Sequence, residues 1–275
     1  MTIVDFHFHV TRGQEYQLSV AKGLKELSGW EDPEGDPGRI LTQQGVARFL
    51  EDSGVDYAVA LAELGYASTI LPTNEDVAEF CRGVPRLIPF CQINPFLVSH
   101  PGRALEHYVN DLGFKGVKLH PSFNQYYPND SLIYPLYSRA EEMGVPVIVH
   151  TGFSTLTGAR LKYGDPLCLD DVMVDFPGLK LIQAHGGRGF WYDRALFLTR
   201  LHENLFMDIS GIPPQRLLHF YPDLEKSADK VLFGSDWPGP GLKAGVGAVQ
   251  MLPIGDEAKS KILGGNAVHV LGLKG

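Results

Sequence analysis

The chain has 275 residues, 44% of them hydrophobic and 20% charged, enough apolar material for one large core and unlike a disordered or collagen-like composition. A formal net charge of -8 gives no reason to expect a nucleic-acid backbone or an anionic membrane surface as partner, and solubility is its plainer meaning. No apolar run nears the ~20 residues that span a bilayer, and the three cysteines, Cys81, Cys91 and Cys168, form no CxxC pair, so a cytoplasmic protein without disulfides is expected.

The first element is the run Thr2-Ile-Val-Asp-Phe-His-Phe-His9, which reads as a strand. Residues two apart on a strand point the same way, so His7 and His9 project together and can share a divalent metal. Asp5 stands two residues earlier, where a carboxylate can orient one of those rings. From Thr11 to about Asp36 the chain is polar and rich in glycine and proline, too long for a tight turn, and reads as an insertion over one end of the fold. Gln43 to Asp52 then patterns as a helix with Val46, Phe49 and Leu50 on one face.

An alternation follows. Strands are expected over Asp56–Leu61, Arg86–Ile93 (weakened by Pro89), Lys115–His120, Val145–His150, Leu179–His185, Asn204–Ile209 and Lys230–Gly234. Helical patterns separate them: one from Thr73, which can cap with Asp76, then Gly102–Leu112, Ser131–Met143, Leu169–Phe176, Phe190–His202 and Pro214–Phe220. Asp256–Leu263 and Asn266–Leu271 close the chain. Eight short strands, each followed by a helix, describe an α/β fold of the (β/α)8 TIM-barrel kind, a single domain over residues 1–275 with an insertion after the first strand.

In such a barrel the site lies at the C-terminal ends of the strands. His7 and His9 end the first, Lys118 and His120 the fourth, His150 the fifth and His185 the sixth, and Asp236 follows the eighth. A single strand-end histidine is more often structural than functional. Five of the ten histidines and an aspartate at one mouth supply more ligands than a tetrahedral metal takes, leaving groups for proton transfer. Asp208, at the end of the seventh strand, reads as a brace for the turn after it. Arg188 carries a planar fork suited to a substrate carboxylate, and Phe123, Phe153, Trp191 and Trp237, just past strand ends, can wall a pocket.

The pieces Asp5-Phe-His-Phe-His9, Gly116-Val-Lys-Leu-His-Pro121, Pro146-Val-Ile-Val-His-Thr-Gly152, Ala184-His-Gly-Gly187 and Leu232-Phe-Gly-Ser-Asp-Trp-Pro238 occur in that order across nearly the whole chain. Together they resemble the amidohydrolase superfamily, and within it the amidohydrolase-related group that includes aminocarboxymuconate-semialdehyde decarboxylase. The resemblance implies one divalent metal ion, usually zinc with manganese as the alternative, held by His7, His9, His150 and Asp236. It implies His185 as catalytic base or orienter of the activated water and Asp236 as both ligand and proton carrier; His120 and Arg188 stand as the substrate-side candidates. Relatives with two metals carry a carboxylated lysine on the strand of Lys118, whereas the group most resembled uses one. The implied activity is metal-dependent hydrolysis of an ester, lactone or amide in a small carboxylated or carbonyl substrate. Non-oxidative decarboxylation of an unsaturated or aromatic acid is the alternative, and a non-catalytic metal-binding barrel a distant third. Relatives often pair, so a homodimer is expected.

Overall fold

Hydrophobic alternation decides which side of each strand turns inward, and here it builds two apolar layers. A computed structural model describes residues 1–10, 42–63, 72–154, 158–237 and 241–273. Its strands are β1 (Val4–His9), β2 (Tyr57–Leu61), β3 (Leu87–Gln92), β4 (Gly116–Leu119), β5 (Val147–His150), β6 (Leu181–Ala184), β7 (Leu205–Asp208) and β8 (Val231–Leu232), paired in sequence order and all parallel. Phe6 N donates to Phe233 O at 2.9 Å and His9 N to Trp237 O at 3.1 Å, joining the last strand's segment to the first. The insertion expected between Thr11 and Asp36 lies outside the described residues.

Inside the barrel, Val4, Phe6, Val59, Leu61, Ile88, Phe90, Ile148, Ile182, Phe206 and Leu232 form the floor. Between the barrel wall and the helices, residues of the opposite strand parity, among them Ala58, Val117, Val147, Leu181 and Leu205, form a second layer. Helices cover that layer: α1 (Gln43–Asp52), α2 (Asn74–Arg82), α3 (Pro101–Leu112), α4 (Pro121–Asn124), α5 (Tyr134–Met143), α6 (Cys168–Asp175), α7 (Tyr192–Leu201), α8 (Leu217–Phe220), α9 (Leu242–Gln250), α10 (Asp256–Ser260) and α11 (Asn266–Leu271). Thr73 does cap α2: its hydroxyl accepts from Asp76 N while the Asp76 carboxylate accepts from Thr73 N, a reciprocal box. Among the described residues no helix is long and apolar enough to cross a membrane.

The strand read through Pro89 forms as expected, and two differences from the sequence reading have local causes. Pro89 sits within β3 because its position needs only a carbonyl, which accepts from Lys115 N at 2.9 Å. Helix α9 escaped notice because Gly245 and Gly247 interrupt its apolar stripe. The stretch read as one helix from Asp256 to Leu263 widens instead into a π-turn over Lys261–Gly265 before α11, where Gly264 lets the turn press onto the backbone of Thr2.

Candidate active site at the barrel mouth

Above the apolar floor the same inward row becomes polar. Gly116, Lys118 and His120 follow one another on the inner face of β4, Ile148 gives way to His150 on β5, and Phe206 to Asp208 on β7. On β1 simple alternation would not achieve this, because Phe6 points inward against Phe90 at 5.9 Å. The pairing register with β2 shifts between Asp5 and Phe8, a bulge. Beyond it the parity is reversed: Phe8 faces outward, stacked on Trp237 at 4.9 Å and against Phe49 of α1, and His7 and His9 turn into the mouth, their rings 5.2 Å apart.

The rings are held by their Nδ1 atoms. His7 Nδ1 lies 2.9 Å from Asp208 Oδ2, and Ser210 Oγ lies 3.0 Å from His7 Nδ1 and 2.8 Å from His185 Nδ1. Ser210 donates its hydroxyl proton to Asp208, so it accepts from His185. With each Nδ1 proton donated to these partners, the Nε2 atoms of His7 and His185 are bare. His7 Nε2 and His9 Nε2 both approach Asp236 Oδ1, at 3.6 and 3.3 Å. His7, His9 and Asp236 thus offer ligand atoms within 4.8 Å of one another, as do His7, His185 and Asp208.

Two of these residues have left-handed backbones unusual for side chains with a Cβ: His185 at φ 63° and Asp236 at φ 58°. Hydrogen bonds hold both there, His185 N donating to Asp208 Oδ1 at 3.0 Å and Asp236 N to His7 O at 2.9 Å. The left-handed turn aims each side chain into the mouth instead of along its strand. Gly211 makes room: a Cβ there would stand 2.8 Å from Asp236 Oδ2.

Electrostatics follow from burial and facing charges. Burial lowers His185, His150 and His120 well below the ordinary imidazole value, with Arg188 adding to the effect at His185 and Lys118 at His150 and His120, so all three are neutral near pH 7. At His9 burial is outweighed by the carboxylates of Glu63 and Asp236, which raise its pKa to about 9. Burial would raise Asp236, but His185, His9, His7 and Arg188 hold it well below the usual carboxylate range. Lys118 is pulled down to about 8 by burial, against the facing carboxylates, and its Nζ lies 3.1 Å from His7 Nε2.

The histidines singled out from sequence gather at this mouth with Lys118, Arg188 and Asp236, some in other postures than expected. His150 contributes a ring 4.7 Å from that of His185 and a buried Nε2 with no hydrogen-bond partner. His120 stands 5.9 Å from His150, with its Nδ1 also unpartnered. Arg188 is turned onto Asp236: Nη1 donates to Asp236 Oδ2 at 3.3 Å and Nη2 to Phe153 O at 3.2 Å, with the guanidinium over the Phe153 ring. Trp237 packs outside the barrel behind Phe8, so it walls no pocket, whereas Phe123 packs on His120 and His150. Asp5 holds no ring. It accepts from His7 N at 3.0 Å and from Ser235 N at 2.9 Å, fastening β1 to the segment after β8. Asp208 does brace its turn, through Ser210 N at 3.0 Å, and it also takes the ring role expected of Asp5. Sequence reasoning passed over Ser210, whose only signal was its place two residues past a strand-end aspartate. It also passed over Glu63, the residue two past the end of β2, with Oε2 3.3 Å from His9 Nδ1.

Comparison with known proteins agrees with this picture. The profile of the amidohydrolase family (Amidohydro_2) matches residues 4–273. A 2-keto-4-carboxy-3-hexenedioate hydratase from Sphingobium sp. (strain NBRC 103272 / SYK-6) is 24% identical, covering 98% of this chain and 96% of that protein. An uncharacterised TIM-barrel protein from Bordetella bronchiseptica superposes with a TM-score of 0.84 at 24% identity, covering 99% of each chain. A 5-carboxyvanillate decarboxylase from Novosphingobium aromaticivorans, a D314N mutant solved with bound manganese, superposes with a TM-score of 0.66 at 16% identity over 99% of this chain and 97% of that one.

Proposed function

Because the chain belongs to the amidohydrolase family, we propose that it is a metal-dependent hydrolase, adding water to the carbonyl carbon of an ester, lactone or amide in a small carboxylated substrate. The donor set fits one divalent ion. His150 Nε2 is a buried nitrogen without a partner, the bare Nε2 of His7 faces Asp236, and imidazole with carboxylate suits zinc or manganese. The manganese in the Novosphingobium decarboxylase supports the second of these. His7, His9, His150 and Asp236 are the residues that would hold the ion. When bound, it lowers the pKa of a water molecule and polarises the carbonyl.

The observation that carries this reading is the state of His185. Its ring lies 4.7 Å from those of both His7 and His150, it is unprotonated near pH 7, and Ser210 holds its Nδ1 so that Nε2 is the basic atom. It takes the proton of the attacking water as general base, a role worth roughly 10²–10⁴ in rate. Asp236, kept ionised by its neighbours and steadied by Arg188, is free to take that proton on from His185 and to deliver it to the leaving group. His120 Nδ1 and Arg188 Nε, buried and unpartnered, are the groups left to meet substrate oxygens and donors. Decarboxylation is the second reading, supported by the decarboxylases among the structurally similar proteins.

The test starts from protein purified without added metal. Its metal content is measured by elemental analysis before and after chelation, and a panel of carboxylated esters, lactones and amides is followed by acid release and by carbon dioxide release. About one ion per chain with acid release supports the hydrolase. Carbon dioxide release would replace it with the decarboxylase. Absence of metal with no uptake on reconstitution would refute both.

A further inference from the structure

His185 stands on an unusual turn. It and the two residues after it, Gly186 and Gly187, all take left-handed backbones, at φ 63°, 49° and 72°. Such a run aims a ring into the mouth only while the chain around it is held. Neighbouring strands supply part of the hold. His185 N donates to Asp208 Oδ1 at 3.0 Å, Gly187 N donates to Thr151 Oγ1 at 3.0 Å, and Thr151 Oγ1 donates to Ala184 O at 2.6 Å. A further bond comes from outside the barrel. Tyr221, fully buried directly after α8, donates its hydroxyl to Gly186 O at 2.5 Å. Neither the ligand set nor the proton path described above includes this residue. We propose, resting on the assignment of His185 as general base, that Tyr221 is a positioning residue that fixes the turn after β6 and so sets where the His185 ring stands in the mouth.

The argument is one of geometry. A peptide unit is planar, so gripping its carbonyl and its N–H from opposite edges leaves it one orientation. The unit between Gly186 and Gly187 is gripped in this way, the carbonyl by Tyr221 and the N–H by Thr151. Gly186 suits the first grip because it has no side chain: a Cβ there would collide with the Tyr221 hydroxyl. Burial pushes the phenol well above its ordinary value, so it remains a donor. The ring is itself immobilised, since Tyr192 of α7 meets it edge-on at 5.6 Å and stacks on Phe220 at 4.1 Å. Removing the hydroxyl strips a buried carbonyl of this donor and loosens the turn that carries His185.

Tyr221→Phe removes the hydroxyl and keeps the ring. In the full chain kcat is expected to fall about 10–100-fold, the scale of a small misplacement of a reacting group, with KM and bound metal unchanged. Hydrogen exchange of the His185 and Gly187 amides reads the turn without any substrate. Both are expected to exchange about fivefold faster or more in the variant, while the amides of β5 keep their wild-type rates. In the wild type, Tyr221 labelled at Cζ is expected to give two signals in mixed light and heavy water, one for the protonated and one for the deuterated hydroxyl, the mark of a slowly exchanging bond. Wild-type kcat in folded Tyr221→Phe overturns the proposal whatever its melting temperature, because a tyrosine that only stabilises the fold would leave kcat in place. A single averaged Cζ signal overturns it without any variant. If the wild type turns over no substrate, the hydrolase reading fails, and the exchange rates and Cζ signals still decide whether Tyr221 holds the turn.

Discussion

The two sides of the barrel mouth are built on different terms. On the side of β1, β7 and the segment after β8, His7, Asp208, Ser210, His185 and Asp236 answer one another's hydrogen-bonding atoms, and two strained backbones are kept in place by the same bonds. On the side of β4 and β5, His120 Nδ1, Ser122 Oγ, both ends of the Asn124 carboxamide and His150 Nε2 are buried with no hydrogen-bond partner. A buried polar atom without a partner costs about 1–3 kcal/mol. The first side therefore spends its bonds on fixing ring orientation ahead of any ligand, and the second holds bonding capacity that the protein itself does not use.

The largest effects should come from the fixed side. His7→Ala and Asp236→Ala are expected to lose both metal and turnover. His185→Ala should keep its metal and lose roughly 10²–10⁴ in kcat. Metal analysis beside kcat for each purified variant checks this, and near-normal turnover in His185→Ala would remove the distinction between holding and reacting residues.

A pH series gives a smaller, graded effect. The pKa of His9 is raised to about 9 from an ordinary value of 6.5, so in the metal-free protein its charged form contributes stability fully below pH 6.5, and this is lost as pH rises through about 9. An ion bound at its Nε2 must displace that proton. Zinc affinity should therefore rise about tenfold per pH unit between pH 6.5 and 8, with at least one proton released per ion. Calorimetry in buffers of different ionisation enthalpy counts the protons; a count of zero would mean that His9 is not a ligand.

The smallest effect separates the two sides by stability alone. In the metal-free protein, Ser210→Ala removes a hydroxyl that serves two rings and should cost about 1–3 kcal/mol. Asn124→Leu replaces a carboxamide unpaired at both ends with an apolar group of similar size, and should leave stability unchanged or raise it by up to ~1 kcal/mol. Thermal melts of both variants compare them directly. A large loss in Asn124→Leu would show that its amide is satisfied in solution.

What could be read in advance was whatever repeats. Strand parity, helix period and the Thr73–Asp76 box are local rules, so the order of strands and the identity of the inward histidines were legible from sequence. The partners of those histidines were not. Asp208 reaches His7 from the far end of the chain, Glu63 reaches His9 from the next strand, and Ser210 serves two rings at once, all of them contacts that no spacing rule encodes. Asp5 was misjudged because, among carboxylates, proximity in sequence is a poor guide to which one faces a ring; strand pleating sends Asp5 to the seam with Ser235. The bulge in β1 was equally hidden, since the His-x-His spacing is the same with or without it.

The joining of β1 to the segment after β8 sets a timetable for the molecule. His9 and Asp236, which meet at 3.3 Å, are separated by 227 residues of chain. At synthesis rates of about 5–20 residues per second, His7 and His9 leave the ribosome roughly ten to fifty seconds before the carboxylate that completes their site. Until the closing strand docks, the nascent chain owns only half a chelate. On the proposed ligand set, firm capture of an ion waits until the ring is whole, so metal loading would report that the closing strand has docked.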